Sequence, residues 1–384
     1  MSAVAQREQA PGTSRDWIGL MQAMGPGFAG RAAAHDAADT FVAENYAELK
    51  SSDAFSAGIP SELGGGGASY AEVAEMLRTL ARHCGSTALA LSMHLHLVAA
   101  LIWRWKRDPQ AVEGFLRRIA KEQLVLVSTG ASDWLNGTGT AERIEGGWRI
   151  TGRKIFGSGV PMGDYLMTGA VYDDPDAGPT VLHFPLPLKT DGVRVLDTWH
   201  VLGLRATGSH DVAIEGAFVP ESAVSARRPQ GQWHMLLHVA VMVAFPLVYS
   251  VYLGIAEAAC EIAIERARSR KPDDGLCCLV GEMVDELATA RLAQADMVAA
   301  GIASEPGRDT TDRIMIGRTL VARAAIRAVE KSMEVVGGAS LYRELGLERR
   351  FRDIQGARFH PLQEKPQQRY AGRNALGLAI DGSV

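Results

Sequence analysis

The hydrophobic spacing of this chain changes twice, and that double change restricts the possible fold more than any other feature. From Asp36 to about Glu122, Ala, Leu and Met recur at three- and four-residue intervals with Glu or Arg between them, the pattern of helices that each bury one face. From about Gln123 to Pro229 the period shortens, with β-branched runs at Val125 to Ser128, Trp148 to Ile155, Thr180 to Phe184 and Asp211 to Ile214. Turn sequences punctuate these runs at Glu145-Gly146-Gly147, Thr151-Gly152, Asp173-Asp174-Pro175 and Asp191-Gly192. Short Gly turns join neighbouring strands and leave no room for a crossover helix, so the region is expected to be a compact antiparallel β domain. Helical spacing returns from Trp233 to the end, broken at Lys271 to Gly275, Glu305 to Asp309 and Gly337 to Ser340. The expected class is α+β, with a helical domain over residues 1–122, a β domain over 123–229 and a second helical domain over 230–384.

Two local signals refine this outline. The run Gly58-Ile59-Pro60-Ser61-Glu62-Leu63-Gly64-Gly65-Gly66-Gly67 must be a turn, because Pro lacks the donor and Gly carries the largest entropy cost in a helix. Ser69 then caps a helix from Tyr70 to His83, with Glu72 at its third position. The segment Met1 to Trp17 is polar and mixed in charge and reads as a frayed end without the apolar core of a signal peptide.

Val239 to Ala256 carries no charge and is long enough to span a membrane. It contains Pro246, Ser250 and Gly254 and runs on into Glu257, Glu261, Glu265 and Arg266, so a helix buried inside a bundle is the better expectation. Forty basic against forty-four acidic side chains leave a formal charge of -4, which supplies no excess of cations for a nucleic-acid backbone. The cysteines, Cys84, Cys260, Cys277 and Cys278, form no CxxC pair, so neither a disulfide framework nor a zinc site is expected and a reducing, cytoplasmic setting is the default. No nucleotide-binding Gly motif stands between a strand and a helix, and no HExxH, GxSxG or metal-site carboxylate cluster occurs.

Four separated segments together resemble the acyl-CoA dehydrogenase superfamily. They are Gly58 to Gly67 with the helix after it, Gly152 to Gly159 (GRKIFGSG), Leu202 to Pro220 (LGLRATGSHDVAIEGAFVP) and Val335 to Asp353 (VVGGASLYRELGLERRFRD). The resemblance implies an all-helical N-terminal domain, a small antiparallel β-barrel and a C-terminal four-helix bundle. It also implies a flavin, FAD by family habit with FMN the other option. Phe156 and Ser158 stand where the family often has Trp then Thr against the flavin ring, keeping an aromatic face and a hydroxyl. Ser128 and Thr129 occupy the place of a flavin-contacting loop but lack its usual Thr-Glu-Pro. Arg270, Gly337 and Gly338 match the Arg and Gly-Gly turn that meet the pyrophosphate and adenine across a subunit interface, which implies a homodimer or homotetramer. The family's aromatic after that Arg is replaced by Lys271-Pro272-Asp273.

The family's catalytic Glu is missing. Counting forward from the matching pair Arg352-Asp353 reaches Phe359-His360-Pro361-Leu362, and the family's other base position falls in the uncharged stretch at Ala244 to Pro246. The first expectation is nevertheless an acyl-CoA dehydrogenase-like oxidoreductase, oxidising a Cα–Cβ bond of an acyl thioester, with His360 or Glu364 as base and a separate electron acceptor. The alternative is a two-component monooxygenase of the same superfamily, fed reduced flavin by a reductase protein and using oxygen. There a His and a Ser hydrogen-bond the oxygen-bearing flavin and the substrate, which suits His360, Ser158 and His94. His94 and its neighbour His96 lie on an Ala/Leu-rich helix, where a core histidine is the ordinary outcome.

Overall fold

A computed structural model of the chain describes residues 15–129 and 133–381. Five helices come first: α1 (Trp17–Ala38), α2 (Ala43–Ser51), α3 (Tyr70–His83), α4 (Gly85–Trp105) and α5 (Pro109–Glu122). The first of them begins well before Asp36, where the periodic spacing starts. Gly25-Pro26-Gly27 hides it in the sequence, yet Gly25 is what lets it pack: a Cβ there would lie 2.2 Å from the His83 ring of α3. Asp16 caps α1 by accepting from the Gly19 N–H at 2.8 Å. Ser69 and Glu72 form the expected reciprocal cap of α3, the Ser69 hydroxyl accepting from Glu72 N–H and the Ser69 N–H donating to the Glu72 carboxylate.

The strands are β1 (Leu126–Ser128), β2 (Thr140–Ile144), β3 (Gly147–Gly157), β4 (Tyr165–Asp174), β5 (Gly178–Pro187), β6 (Val193–Val195), β7 (His210–Pro220) and β8 (Ala226–Pro229). They form one sheet in the order β6-β7-β3-β2-β4-β5-β8, with β1 paired to β4. Pairing is antiparallel except where β1, and β2 through Thr140 and Val171, run parallel to β4. Thr151-Gly152 is not a turn but lies inside β3, paired with β7 just after a register shift between Ile150 and Thr151. Trp148, Ile150, Leu166, Phe184, Val212 and Ile214 fill the sheet's own core.

The chain returns to helices with α6 (Met235–Arg268), α7 (Asp274–Ala303), α8 (Arg308–Val336), α9 (Leu347–Ile354) and α10 (Glu364–Ala375). The uncharged run lies in α6, whose apolar window is 89% buried within the protein. Leu247, Val251 and Ile255 are completely or almost completely buried there, each stabilising the fold by about 1.5–3 kcal/mol. Pro246 cannot donate to the carbonyl one turn back, and the Tyr70 hydroxyl of α3 reaches this weakened turn, 2.9 Å from Val243 O and 3.4 Å from Met242 O. Glu257 closes the interface, accepting from Arg78 of α3 at 2.9 Å and Arg291 of α7 at 2.7 Å. Burial alone would raise its carboxyl, but the two guanidiniums hold it below its ordinary value.

Two of the quoted sequence segments meet. Arg352 pairs with Asp36 of α1 and donates to Leu202 O at 3.0 Å, while Asp353 accepts from Leu204 N–H. Gly203 makes the approach possible, since a Cβ there would lie 2.3 Å from Arg352 O. This junction joins the loop before β7 to both helical regions.

Candidate functional site

The site is built outward from the end of β3. In a regular strand Lys154 and Phe156 would share a face, but a register shift between Lys154 and Gly157 separates them. Lys154 is 1% exposed while Phe156 is 47% exposed. Phe156 also has φ 61°, a left-handed conformation that an aromatic residue adopts at a cost of about 1–2 kcal/mol. Its ring stands edge-on to Trp199 at 6.0 Å. An exposed aromatic held in a strained backbone suits a planar ring system packed against it. Two residues on, Ser158 is nearly buried, with its hydroxyl 2.8 Å from that of Ser209, which is 2.7 Å from that of Thr207. Gly159 turns the chain away at φ 77°, where a Cβ would lie 2.7 Å from the Tyr46 hydroxyl.

Ser128 closes β1 and Thr129 follows it, buried, with its hydroxyl 2.9 Å from that of Thr168. The continuation of that loop, residues 130–132, lies outside the described residues.

The histidines divide sharply. His94 is completely buried: Nδ1 accepts from Leu126 N–H at 3.0 Å, so Nε2 carries the proton and donates to Phe55 O at 2.7 Å. Both ring nitrogens thus hold backbone in place, and none is left for a substrate. His96 is half-buried and donates from Nδ1 to Ser92 O at 3.0 Å, leaving Nε2 as an acceptor. Residues two apart on a helix point about 200° from one another, so only one of the pair can leave the core.

His360 follows α9, and its Nδ1 is hydrogen-bonded to the Tyr252 hydroxyl of α6. Beneath it Arg318 of α8, 1% exposed, donates to three carbonyls, Ala357 at 2.9 Å, Arg358 at 3.2 Å and His360 at 2.8 Å. Burial first, then the Arg318 guanidinium and the His96 ring, lower the His360 imidazole to about 4. His96 is likewise lowered to about 4 by burial. Both rings are therefore neutral at neutral pH.

Glu364 is not brought to this cluster's centre. It opens α10 and is bound bidentately by Arg323, at 3.0 and 2.5 Å, which holds the carboxyl below its ordinary value. Ala244, Phe245 and Pro246 are buried in α6, so the second place where a base carboxylate could stand is apolar. Arg270 lies just past α6 and donates to Val335 O at 2.7 Å, which brings it beside the turn at Gly337 and Gly338. That turn is open, with nothing within 4 Å of a Cβ at either glycine, and Gly337 has φ 74°.

His96, Tyr252, Arg318, Thr207 and Ser209 were not singled out as site residues from sequence. Helical spacing alone could have flagged His96 as the alternative to His94. The others reach the site through contacts between distant segments.

This is a helical, sheet and helical flavoprotein architecture, and the family can be named from it. The chain belongs to the acyl-CoA dehydrogenase superfamily: the "Acyl-CoA dehydrogenase, N-terminal domain" model matches residues 27–123 and the "Acyl-CoA dehydrogenase, C-terminal domain" model matches 247–364. It is a flavin-dependent oxidoreductase of that fold. Amino sugar nitrososynthase RubN8 of Streptomyces rubradiris is 29% identical, over 93% of this chain and 89% of that protein. The putative acyl-CoA dehydrogenase YdbM of Bacillus subtilis is 27% identical, over 94% of this chain and 96% of that one. The structure of KijD3 in complex with FMN and a dTDP-linked amino keto sugar superimposes with a TM-score of 0.88 at 28% identity, covering 97% of this chain and 96% of that one.

Proposed function

We propose that the protein is a two-component flavin monooxygenase that oxidises the amino group of a small substrate, with a sugar nucleotide as the substrate class. The observation that carries this reading is the charge of the His360 cluster. A dehydrogenase removing a proton beside a thioester needs a carboxylate base, and both places for one are occupied otherwise, by His360 and by the apolar Ala244 to Pro246 turn. Oxidation of an amine needs the opposite, a nitrogen kept unprotonated so that its lone pair is free. The buried Arg318 guanidinium beside His360 disfavours an ammonium and favours the free base, and the neutral imidazoles leave ring nitrogens to hydrogen-bond it.

Phe156, Ser158, Ser128 and Thr129 would hold the flavin ring, and Arg270 with Gly337 and Gly338 of a neighbouring copy its phosphate-bearing end. We read the flavin as FMN. The FMN complex of KijD3 and the lost aromatic after Arg270 support that choice over FAD. Reduced flavin supplies two electrons to dioxygen, so that R–NH2, O2 and FMNH2 give R–NHOH, H2O and FMN. In this chain Tyr252 orients the His360 ring, Arg318 fixes the backbone that carries it, and neutral His360 and His96 hydrogen-bond the substrate amine. The protein works as a homo-oligomer beside a separate reductase. Exposed Leu292, Ile316 and Leu320 in the α7–α8 groove support burial against another copy.

Oxygen uptake with chemically reduced FMN and a dTDP-amino sugar tests this reading, with product mass rising by about one oxygen atom. The dehydrogenase reading, which similarity to YdbM supports, predicts instead that an acyl-CoA bleaches bound flavin without oxygen. Bleaching by a thioester, with no amine-dependent oxygen uptake, would sink the monooxygenase.

A further inference from the structure

The hydroxyls of Thr207, Ser209 and Ser158 form a chain whose direction is set by its last partner. Thr207 Oγ1 lies 2.9 Å from Leu204 O, an oxygen that only accepts, so Thr207 gives its single proton to that carbonyl. Ser209 must then donate to Thr207 at 2.7 Å, and Ser158 must donate to Ser209 at 2.8 Å. All three residues are buried, so bulk water does not scramble the order. The anchor is itself fixed: Leu204 N–H donates to Asp353, and Leu204 O also accepts from Trp199 Nε1 at 3.2 Å and Thr207 N–H at 3.1 Å.

Ser158 Oγ therefore meets a neighbour with lone pairs and no proton. The backbone does not supply the missing donor, because Ser158 N–H is bonded to Phe156 O and Gly159 N–H to Thr207 O, both at 2.9 Å. A flavin changes its own sense on reduction, since the central ring nitrogen N5, which accepts in the oxidised form, becomes an N–H donor. We infer that Thr207 and Ser209 are positioning residues that fix Ser158 as an acceptor and so bias the site toward reduced flavin. This rests on the flavin reading of the Ser158 corner given above. Donating to oxidised flavin would require reversing the chain, leaving Thr207 Oγ1 facing Leu204 O with no proton between them. The loss of one buried hydrogen bond corresponds to about a tenfold change in binding constant.

Anaerobic equilibrium titration with oxidised and with dithionite-reduced FMN tests this, read as the ratio of the two dissociation constants. Wild type is expected to prefer reduced FMN by about tenfold or more. Thr207→Val frees the Ser209 proton to turn toward Ser158, and Ser209→Ala frees the Ser158 proton directly. Each should cut the preference about tenfold, while Thr207→Ser retains it. A merely structural role would weaken both redox forms together and leave the ratio unmoved, which overturns the inference while the flavin reading stands. Wild type that binds neither form overturns both. Should Thr207→Val fail to fold, Ser209→Ala against the conservative Ser209→Thr carries the same comparison.

Discussion

Two buried basic clusters, one in the sheet and one in the helical bundle, are built on opposite plans. In the sheet, Lys154 donates to Asp133 at 2.6 Å and to Thr138 O at 2.7 Å, while Arg228 donates to Leu135 O, Trp134 O and the His183 ring. Both cations help to pin the 133–138 loop, and Asp133 pairs directly with one of them, Lys154. In the bundle, Arg318 donates to the carbonyls of residues 357, 358 and 360 and lies over the Tyr249 ring, and its Nε has no hydrogen-bond partner among the described residues. Its ion pairing is with no carboxylate among those residues either. A cation paired with a buried carboxylate holds the fold; one without such a partner leaves a positive field on whatever lies beside it, here His360.

The largest effect should come from breaking the ion pair of the first cluster. Lys154→Met strands the buried Asp133 carboxylate and should lower unfolding free energy in urea by about 3–5 kcal/mol. Arg318→Met removes a desolvated cation along with its hydrogen bonds, so a smaller loss of about 2 kcal/mol is expected. Its diagnostic reading is spectroscopic. The His360 imidazole, held at about 4, should titrate closer to the ordinary value of roughly 6.5 once the guanidinium is gone. An NMR titration that still finds it near its original position would show that burial alone sets it, and the contrast between the clusters would collapse.

Asp353 sharpens the same contrast because it is an acid close to the second cluster that does not neutralise it. Burial lifts its carboxyl to about 6, against the bond from Leu204 N–H and the pull of Arg349. A folded-state value above the unfolded one means that stability is greatest below the unfolded value and is lost as pH rises through about 6. Asp353→Asn keeps an oxygen for Leu204 N–H, so the variant should gain about 1–2 kcal/mol over wild type at pH 7. The gain should vanish near pH 4. His94, His96 and His360 act in the opposite sense: each is lowered to about 4, so their neutral forms favour the fold above about 6.5, and that contribution is lost as pH falls toward 4. Urea midpoints of both proteins across pH 4 to 8 separate these signs.

What sequence conveyed followed how local each feature is. The capping box of α3 lies within a few residues, and the two changes of periodicity are sums of such local patterns, so both are legible. Helix α1 was not, because its spacing before Asp36 is interrupted by Gly25 and Pro26, and what places Gly25 there is the His83 ring packed against that turn. The site was legible only in part for the same reason. His94 and His96 are equivalent by composition, and only the bonds from Leu126 and to Phe55 show which is locked into the core. Ser158 meets Ser209 across 51 positions, and Arg318 meets His360 across 42, separations that no periodicity encodes.

The smallest expected effect tests whether Phe156 belongs with the structural or the functional side of the molecule. Its left-handed backbone at φ 61° costs about 1–2 kcal/mol, and its ring is half in solvent, so little packing returns that cost. Phe156→Gly relieves the strain but adds chain entropy to the unfolded state, for a net gain of about 0.5–1 kcal/mol. The same change removes the aromatic face beside Trp199 and should weaken FMN binding about tenfold. A higher melting temperature with poorer FMN binding places the strain in the service of the cofactor. A lower melting temperature with unchanged binding would make Phe156 a packing residue of the β3 end, and Trp199 its structural partner.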